Sequence, residues 1–185
     1  MEEVIRVSTP FKEEESIKLK AGDIVCITGK IYTARDAAHA RMTAMIKNGI
    51  ELPFSIEDQI IYYTGPCPSK PGEVIGSAGP TTSGRMDAYT PDLLEAGLRG
   101  MIGKGERSEN VIMSMMKHKA VYFAITGGTG ALTSRRIKKC EDIAFPELGT
   151  ESIKELWVED LKCVVAIDAY GNDLYKSGRK KFERR

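Results

Sequence analysis

The chain has 185 residues, 42% hydrophobic and 29% charged, and its 27 Lys and Arg against 26 Asp and Glu leave a formal net charge of +1. That mixture excludes a disordered, fibrous or membrane-embedded chain, and the length suits one domain that needs no disulfide or metal staple. The charge balance excludes a whole-chain electrostatic pull toward nucleic acid or anionic lipid.

The start, Met1-Glu2-Glu3, is acidic and no apolar leader follows, so no secretory signal is expected. Apolar runs such as Val164–Ile167 stay far below the ~20 residues that span a bilayer. The expected compartment is the cytoplasm, with no membrane and no nucleic acid as partners. Val4 to Ser8 alternates and predicts a strand, which Ser16 to Leu19 continues weakly. Ala21-Gly22-Asp23 reads as a turn into a β-branched strand from Ile24, punctuated by Gly29-Lys30. Ala34 to Asn48 predicts a helix that Gly49 stops. Gln59 to Thr64 is a strand closed by Gly65-Pro66-Cys67-Pro68. A short helix follows over Pro91–Gly97, then a strand from Met101 into Gly103-Lys104-Gly105. Ser108 to Lys119 has helical spacing, Val121 to Thr126 is a buried strand, and a helix starts near Ala131. Ile153–Val158 and Cys163–Asp168 read as two strands, Gly171-Asn172-Asp173 as a turn, and the basic run Lys176–Arg185 as a tail or helix. The whole predicts an α/β chain, 1–185, with a mixed sheet and flanking helices around one core.

Four segments carry chemistry. Arg35 and His39 in Thr33–Arg41 are four apart, hence on one helix face, though a solvated helix start explains them as well. Gly79-Pro80-Thr81-Thr82-Ser83-Gly84-Arg85-Met86 brings backbone N–H groups, three hydroxyls and a guanidinium into one turn, which suits an anion. Lys104 between two glycines can reach into a cleft, as many surface lysines could. Gly127-Gly128-Thr129-Gly130 follows a strand like a phosphate loop, but lacks the G-x-G-x-x-G order and the Walker lysine spacing. A tight strand-to-helix turn explains these glycines adequately. Cys26, Cys67, Cys140 and Cys163 are scattered, with no C-x-x-C pair, and are expected to be thiols.

Together these segments, with Pro146-Glu147-Leu148-Gly149 and Gly171-Asn172-Asp173, resemble one family in order and over nearly the whole chain. It is the β subunit, or C-terminal half, of the iron–sulfur hydro-lyases: class I fumarase and L(+)-tartrate dehydratase. The resemblance implies a swivelling β/β/α domain. It implies reversible hydration of fumarate to malate, or dehydration of tartrate or another hydroxy-diacid. The [4Fe-4S] cluster is then expected on an α subunit, with no metal or cofactor on this chain, in a heterotetramer of two α and two β. Arg35, Arg85 and Lys104 match the family's carboxylate-binding positions. Thr81 matches the position proposed for proton transfer, and His39 an active-site histidine. Gly84, small before the arginine of the motif, leans toward fumarase. A reading of another class, a nucleotide- or anion-binding module at Gly127–Gly130, predicts nucleotide binding by the isolated chain.

Overall fold

A computed structural model describes residues 4–183. The sheet is organised around β2 (Ile24–Thr33). On one edge β2 pairs in parallel with β1 (Val4–Ser8) and, at Tyr32 and Thr33, with β3 (Ile60–Tyr62). On its other edge lies β7 (Ile153–Ile167), antiparallel. From β3 the parallel order continues to β4 (Gly100–Gly103) and β5 (Val121–Ala124). β5 then pairs with β7, so β2, β3, β4, β5 and β7 close into a ring. β6 (Ile137–Ala144) adds to β7 as a polar edge strand.

Ring closure gives the strands two buried faces. Val25, Ile27, Ile60, Tyr62, Ile102, Phe123 and Val165 alternate into one cluster, together with Phe11. The intervening Ile61, Tyr63, Met101 and Tyr122 face a second cluster, covered by helices. β3 therefore has every residue buried, as expected of a central parallel strand. The covering helices are α2 (Asp36–Lys47), α3 (Thr90–Glu95) and α4 (Glu109–Lys117). α2 buries Ala38, His39, Met42 and Thr43, a stripe at helical spacing. α4 starts at Ser108, whose hydroxyl accepts the Val111 N–H at 3.4 Å, and buries Val111, Ile112 and Met115. The fold is a mixed α/β architecture: one sheet with flanking helices.

Several sequence expectations change. Ser16–Leu19 is no strand: α1 (Glu13–Ser16) ends there. Glu13, Glu14 and Glu15 fill its first turn, where the helix dipole favours carboxylates, and the buried pair Ser16 and Leu19 lies one helical turn apart. The two late strands are one 15-residue strand, β7. It runs through the charged Glu159-Asp160 because β2 offers a continuous partner edge; a register shift opposite Gly29 and a left-handed Asp160 absorb the irregularity. β6 had no apolar signature, since pairing with β7 rather than burial forms it. α5 (Gly130–Ser134) follows the glycine turn, and α6 (Leu174–Phe182) takes up much of the basic run. Arg184 and Arg185 lie outside the described residues.

Candidate active site

Because β2 to β5 run parallel, their C-terminal ends share one rim, the usual place for ligands in such sheets. Arg35 follows β2 and caps the start of α2. Tyr63, Thr64 and Gly65 follow β3, and Lys104 follows β4. Residues 77–83 thread between these ends. Thr64 Oγ1 donates to the Gly79 carbonyl at 2.7 Å, and the Thr81 N–H to the Tyr63 carbonyl at 2.7 Å. The Lys104 N–H reaches the Thr81 carbonyl at 3.3 Å, and the Ser83 N–H the Lys104 carbonyl at 2.9 Å. Thr81 and Lys104 are thus fixed side by side through their backbones, with both side chains half-buried.

Arg85 sits on the 3-10 turn Ser83–Met86 that follows. Its Nε donates to Asp36 Oδ1 at 3.0 Å, and Nη2 lies 2.8 Å from Oδ2, close enough for an ion pair though not aligned as a hydrogen bond. This pair ties the turn to the start of α2. Arg35 meets Glu151 through Nη2 at 3.3 Å, and the other oxygen of Glu151 accepts the Ala37 N–H at 3.1 Å. Glu151 so supplies the carboxylate cap that Arg35, with no side-chain oxygen, cannot. Arg35 Nε is buried and has no hydrogen-bond partner among the described residues. Lys104 makes no ion pair among the described residues.

Gly65 makes room for Arg35, since a Cβ there would stand 2.6 Å from Nη1. A Cβ on Gly127 would be in ordinary contact with Lys104 Nζ at 3.7 Å. Gly130 backs onto Gly79, where a Cβ would meet backbone nitrogen at 2.9 Å. The Gly127–Gly130 turn therefore has a packing reason beside the rim.

His39 lies beneath the rim rather than on it. Its ring is fully buried, with an edge toward Tyr63 (centroids 5.1 Å apart). Nδ1 lies 2.9 Å from the Arg35 carbonyl, and Nε2 has no partner. Burial, foremost, pulls its pKa from the ordinary 6.5 to about 4; Arg107 adds to this, and the Arg35 carbonyl and Asp36 oppose it. The ring is neutral near pH 7. The structure thus gathers Arg35, Thr81, Arg85 and Lys104 along one rim, with His39 as a buried support for the Arg35 backbone.

Sequence reasoning missed Glu151, Gly65 and Arg107. Glu151 stands two residues past the Pro-Glu-Leu-Gly segment, and only chain folding brings it to Arg35. Three cavities of 440 to 560 Å3 lie away from this rim, and none of the five candidate residues lines them. Among the described residues, no group of three or more His, Cys, Asp or Glu could hold a metal. Cys26, Cys140 and Cys163 belong to β2, β6 and β7, and exposed Cys67 to the loop after β3. Such a scattered set does not fit an iron–sulfur cluster held by this chain. No described helix is long and apolar enough to cross a membrane.

Residues 1–178 match the family described as Fumarase C-terminus. The chain is 43% identical over 153 residues to "Fumarate hydratase class I, anaerobic" of Escherichia coli K12, covering 81% of this chain and 28% of that protein. It is 38% identical over 170 residues to "Putative L(+)-tartrate dehydratase subunit beta" of Methanocaldococcus jannaschii, covering 89% of this chain and 87% of that one. With "Putative fumarate hydratase class I" of Geobacillus stearothermophilus it shares 34% over 182 residues, covering 96% and 34%. The chain thus spans about a third or less of these fumarate hydratases and most of the β subunit. It belongs to the Fumarase C-terminus family.

Proposed function

We propose that this chain is the β subunit of a two-subunit iron–sulfur hydro-lyase, most simply one that hydrates fumarate reversibly to malate. The observation that carries the reading is the rim itself, where three cations and a threonine hydroxyl stand together at the C-terminal ends of the parallel strands. A dianion needs several fixed cations, and those cations hold it firmly only where bulk solvent is kept away. Half of such a site is present here, and a partner surface would close it.

On this reading Arg35, Arg85 and Lys104 hold the two carboxylates. Arg85, aimed by Asp36, offers its remaining N–H groups. Thr81 moves the proton beside a carboxylate, its alkoxide stabilised by the neighbouring cations. His39 fixes the Arg35 backbone from below. The [4Fe-4S] cluster belongs to the α partner, in a heterotetramer of two α and two β. The whole of 1–185 acts as one swivelling β/β/α domain in the cytoplasm.

A second reading, a tartrate dehydratase β subunit, is supported by the near end-to-end match to a protein of that name. Gly84 favours the first. Co-expression with a cysteine-bearing α partner, then anaerobic assay with fumarate, malate and both tartrate enantiomers, tests both. Activity on fumarate and malate alone is the expected result; activity confined to a tartrate would move the assignment, and none on any diacid would remove it.

A further inference from the structure

Arg107 is the one described arginine whose side chain is fully enclosed. It sits three residues past Lys104, just before α4. Nε donates to Asp87 Oδ1 at 2.7 Å and Nη2 to Thr90 Oγ1 at 2.8 Å. The guanidinium lies 5.4 Å from the Tyr63 ring centre and 5.2 Å from that of Tyr122. Burial by itself would favour loss of the proton, but Tyr63, Asp87 and Tyr122 outweigh it and hold the charge more firmly than usual.

Each neighbour of this cation leads to a different part of the rim. The Tyr63 carbonyl accepts the Thr81 N–H. The Tyr122 hydroxyl donates to the Gly105 carbonyl at 2.9 Å, so Ser83 Oγ, 2.8 Å away, donates to Tyr122 in turn. These two bonds bracket Lys104, whose own carbonyl takes the Ser83 N–H. Asp87 ends the turn that carries Arg85, and its second oxygen accepts the Ser108 N–H at 2.6 Å. Stability alone is a weak reason to keep a cation here. Burying one costs several kcal/mol, and apolar side chains of similar volume often replace buried ion pairs without loss.

The geometry points to Arg107 as the common positioning residue of the rim, the single buried cation that sets the places of Thr81, Lys104 and Arg85 without touching substrate. This rests on the proposed function only for what those three residues do; that Arg107 orders them is a separate claim with its own readout.

Arg107→Lys keeps a charge but cannot span Asp87, Thr90 and two rings at once. Amide hydrogen exchange on the full chain reads the ordering directly. The expected result is exchange at least about tenfold faster at the Thr81, Ser83 and Ser108 amides, with the β5 amides unchanged. Unchanged exchange at those three would overturn the inference, and so would an equal rise across the chain, since that is general destabilisation. Should Arg107→Lys not fold, Asp87→Asn loosens the same anchor with Arg107 in place, and the same two outcomes apply. In the complex with the α partner, Arg107→Lys is expected to lower kcat/KM for the diacid at least about tenfold. Wild-type efficiency there, in an active complex, also overturns the inference. A wild-type complex inactive on every diacid sinks the hydro-lyase reading, and the exchange measurement still decides Arg107.

Discussion

A carbonyl cannot donate, so the contact between Nδ1 of His39 and the Arg35 carbonyl puts the proton on Nδ1 and leaves Nε2 a buried lone pair. The unfolded chain takes up a second proton near pH 6.5, the folded chain only near 4. Between those values the unfolded state binds more protons, so stability falls as pH drops through the window and the loss is complete below about 4. From 6.5 to about 4 the loss is on the order of 3 kcal/mol. His118 is shifted in the same direction but is mostly solvated. His39→Gln keeps a donor for the Arg35 carbonyl and cannot be protonated. Its melting temperature, followed from pH 7 to 5, is expected to decline less steeply than that of the wild type; an equal slope would remove His39 as the cause. Arg85 offers a different test. Arg85→Lys retains charge but loses the fork that meets Asp36, and kcat/KM of the α–β complex is expected to fall at least about tenfold, or ~1.4 kcal/mol. Thr81→Ala leaves the Thr81 N–H to Tyr63 intact, so the turn should hold and substrate should still bind. If the hydroxyl moves the proton, kcat/KM drops by the same factor for fumarate and malate, because the overall equilibrium cannot change, and the drop lies in kcat. Thr81→Ser should recover part of it. A raised KM with kcat kept would mean that Thr81 only shapes the turn.

β4 shows how closely an element can be fitted to the rim it serves. A Cβ on Gly103 would stand 2.0 Å from Ser83 Oγ and 3.1 Å from Tyr63 Cδ2. Ser83 is fully buried and bonded to Tyr122, so it cannot swing away freely. Gly103→Ala is expected to destabilise the chain by about 1–3 kcal/mol through overpacking, and to lower kcat/KM of the complex, since Ser83 joins Thr81 to Arg85. Chemical denaturation beside kinetics checks this; a fully stable, fully active variant would show that the segment is softer than its contacts imply. The same fit explains which elements were legible. Strands β3 and β5 are legible because they are buried on both faces and carry apolar side chains throughout, and β2 because its β-branched residues alternate into the core. α2 and α4 announced themselves by a buried stripe and a glycine or serine at one end. β6 and the middle of β7 were illegible because pairing, not burial, makes them strands there: Lys138, Lys139, Glu141, Glu159 and Asp160 carry no apolar period. α1 misled because a pair of buried residues three apart resembles weak alternation when only four residues are read.

The rim residues could be named from the sequence because each stands in a compact motif, but their supports could not. Glu151 comes to Arg35 from 116 positions away, and Arg107 looks like any arginine before a helix until Tyr63, Asp87 and Tyr122 surround it. Nor does a motif reveal that the Arg85 side chain stays 52% exposed even while paired with Asp36. A dianion held by so solvated a cation competes with bulk water, and charge pairing at high dielectric gains little. The scattered cysteines add a second reason to expect nothing from the chain alone. Purified by itself it is expected to be colourless, free of iron and inactive on fumarate. Titrated into a fixed amount of α partner, it should raise activity until the two are equal in number, then no further. If each site is completed by association, as proposed, activity per subunit should fall on dilution below the dissociation constant and be rescued by excess of this chain. Arg85→Lys should still saturate at the same ratio with a lower plateau, because it alters the site and not the docking. A brown chain that hydrates fumarate unaided, or activity indifferent to dilution at every concentration, would mean that the rim is closed by something other than a partner.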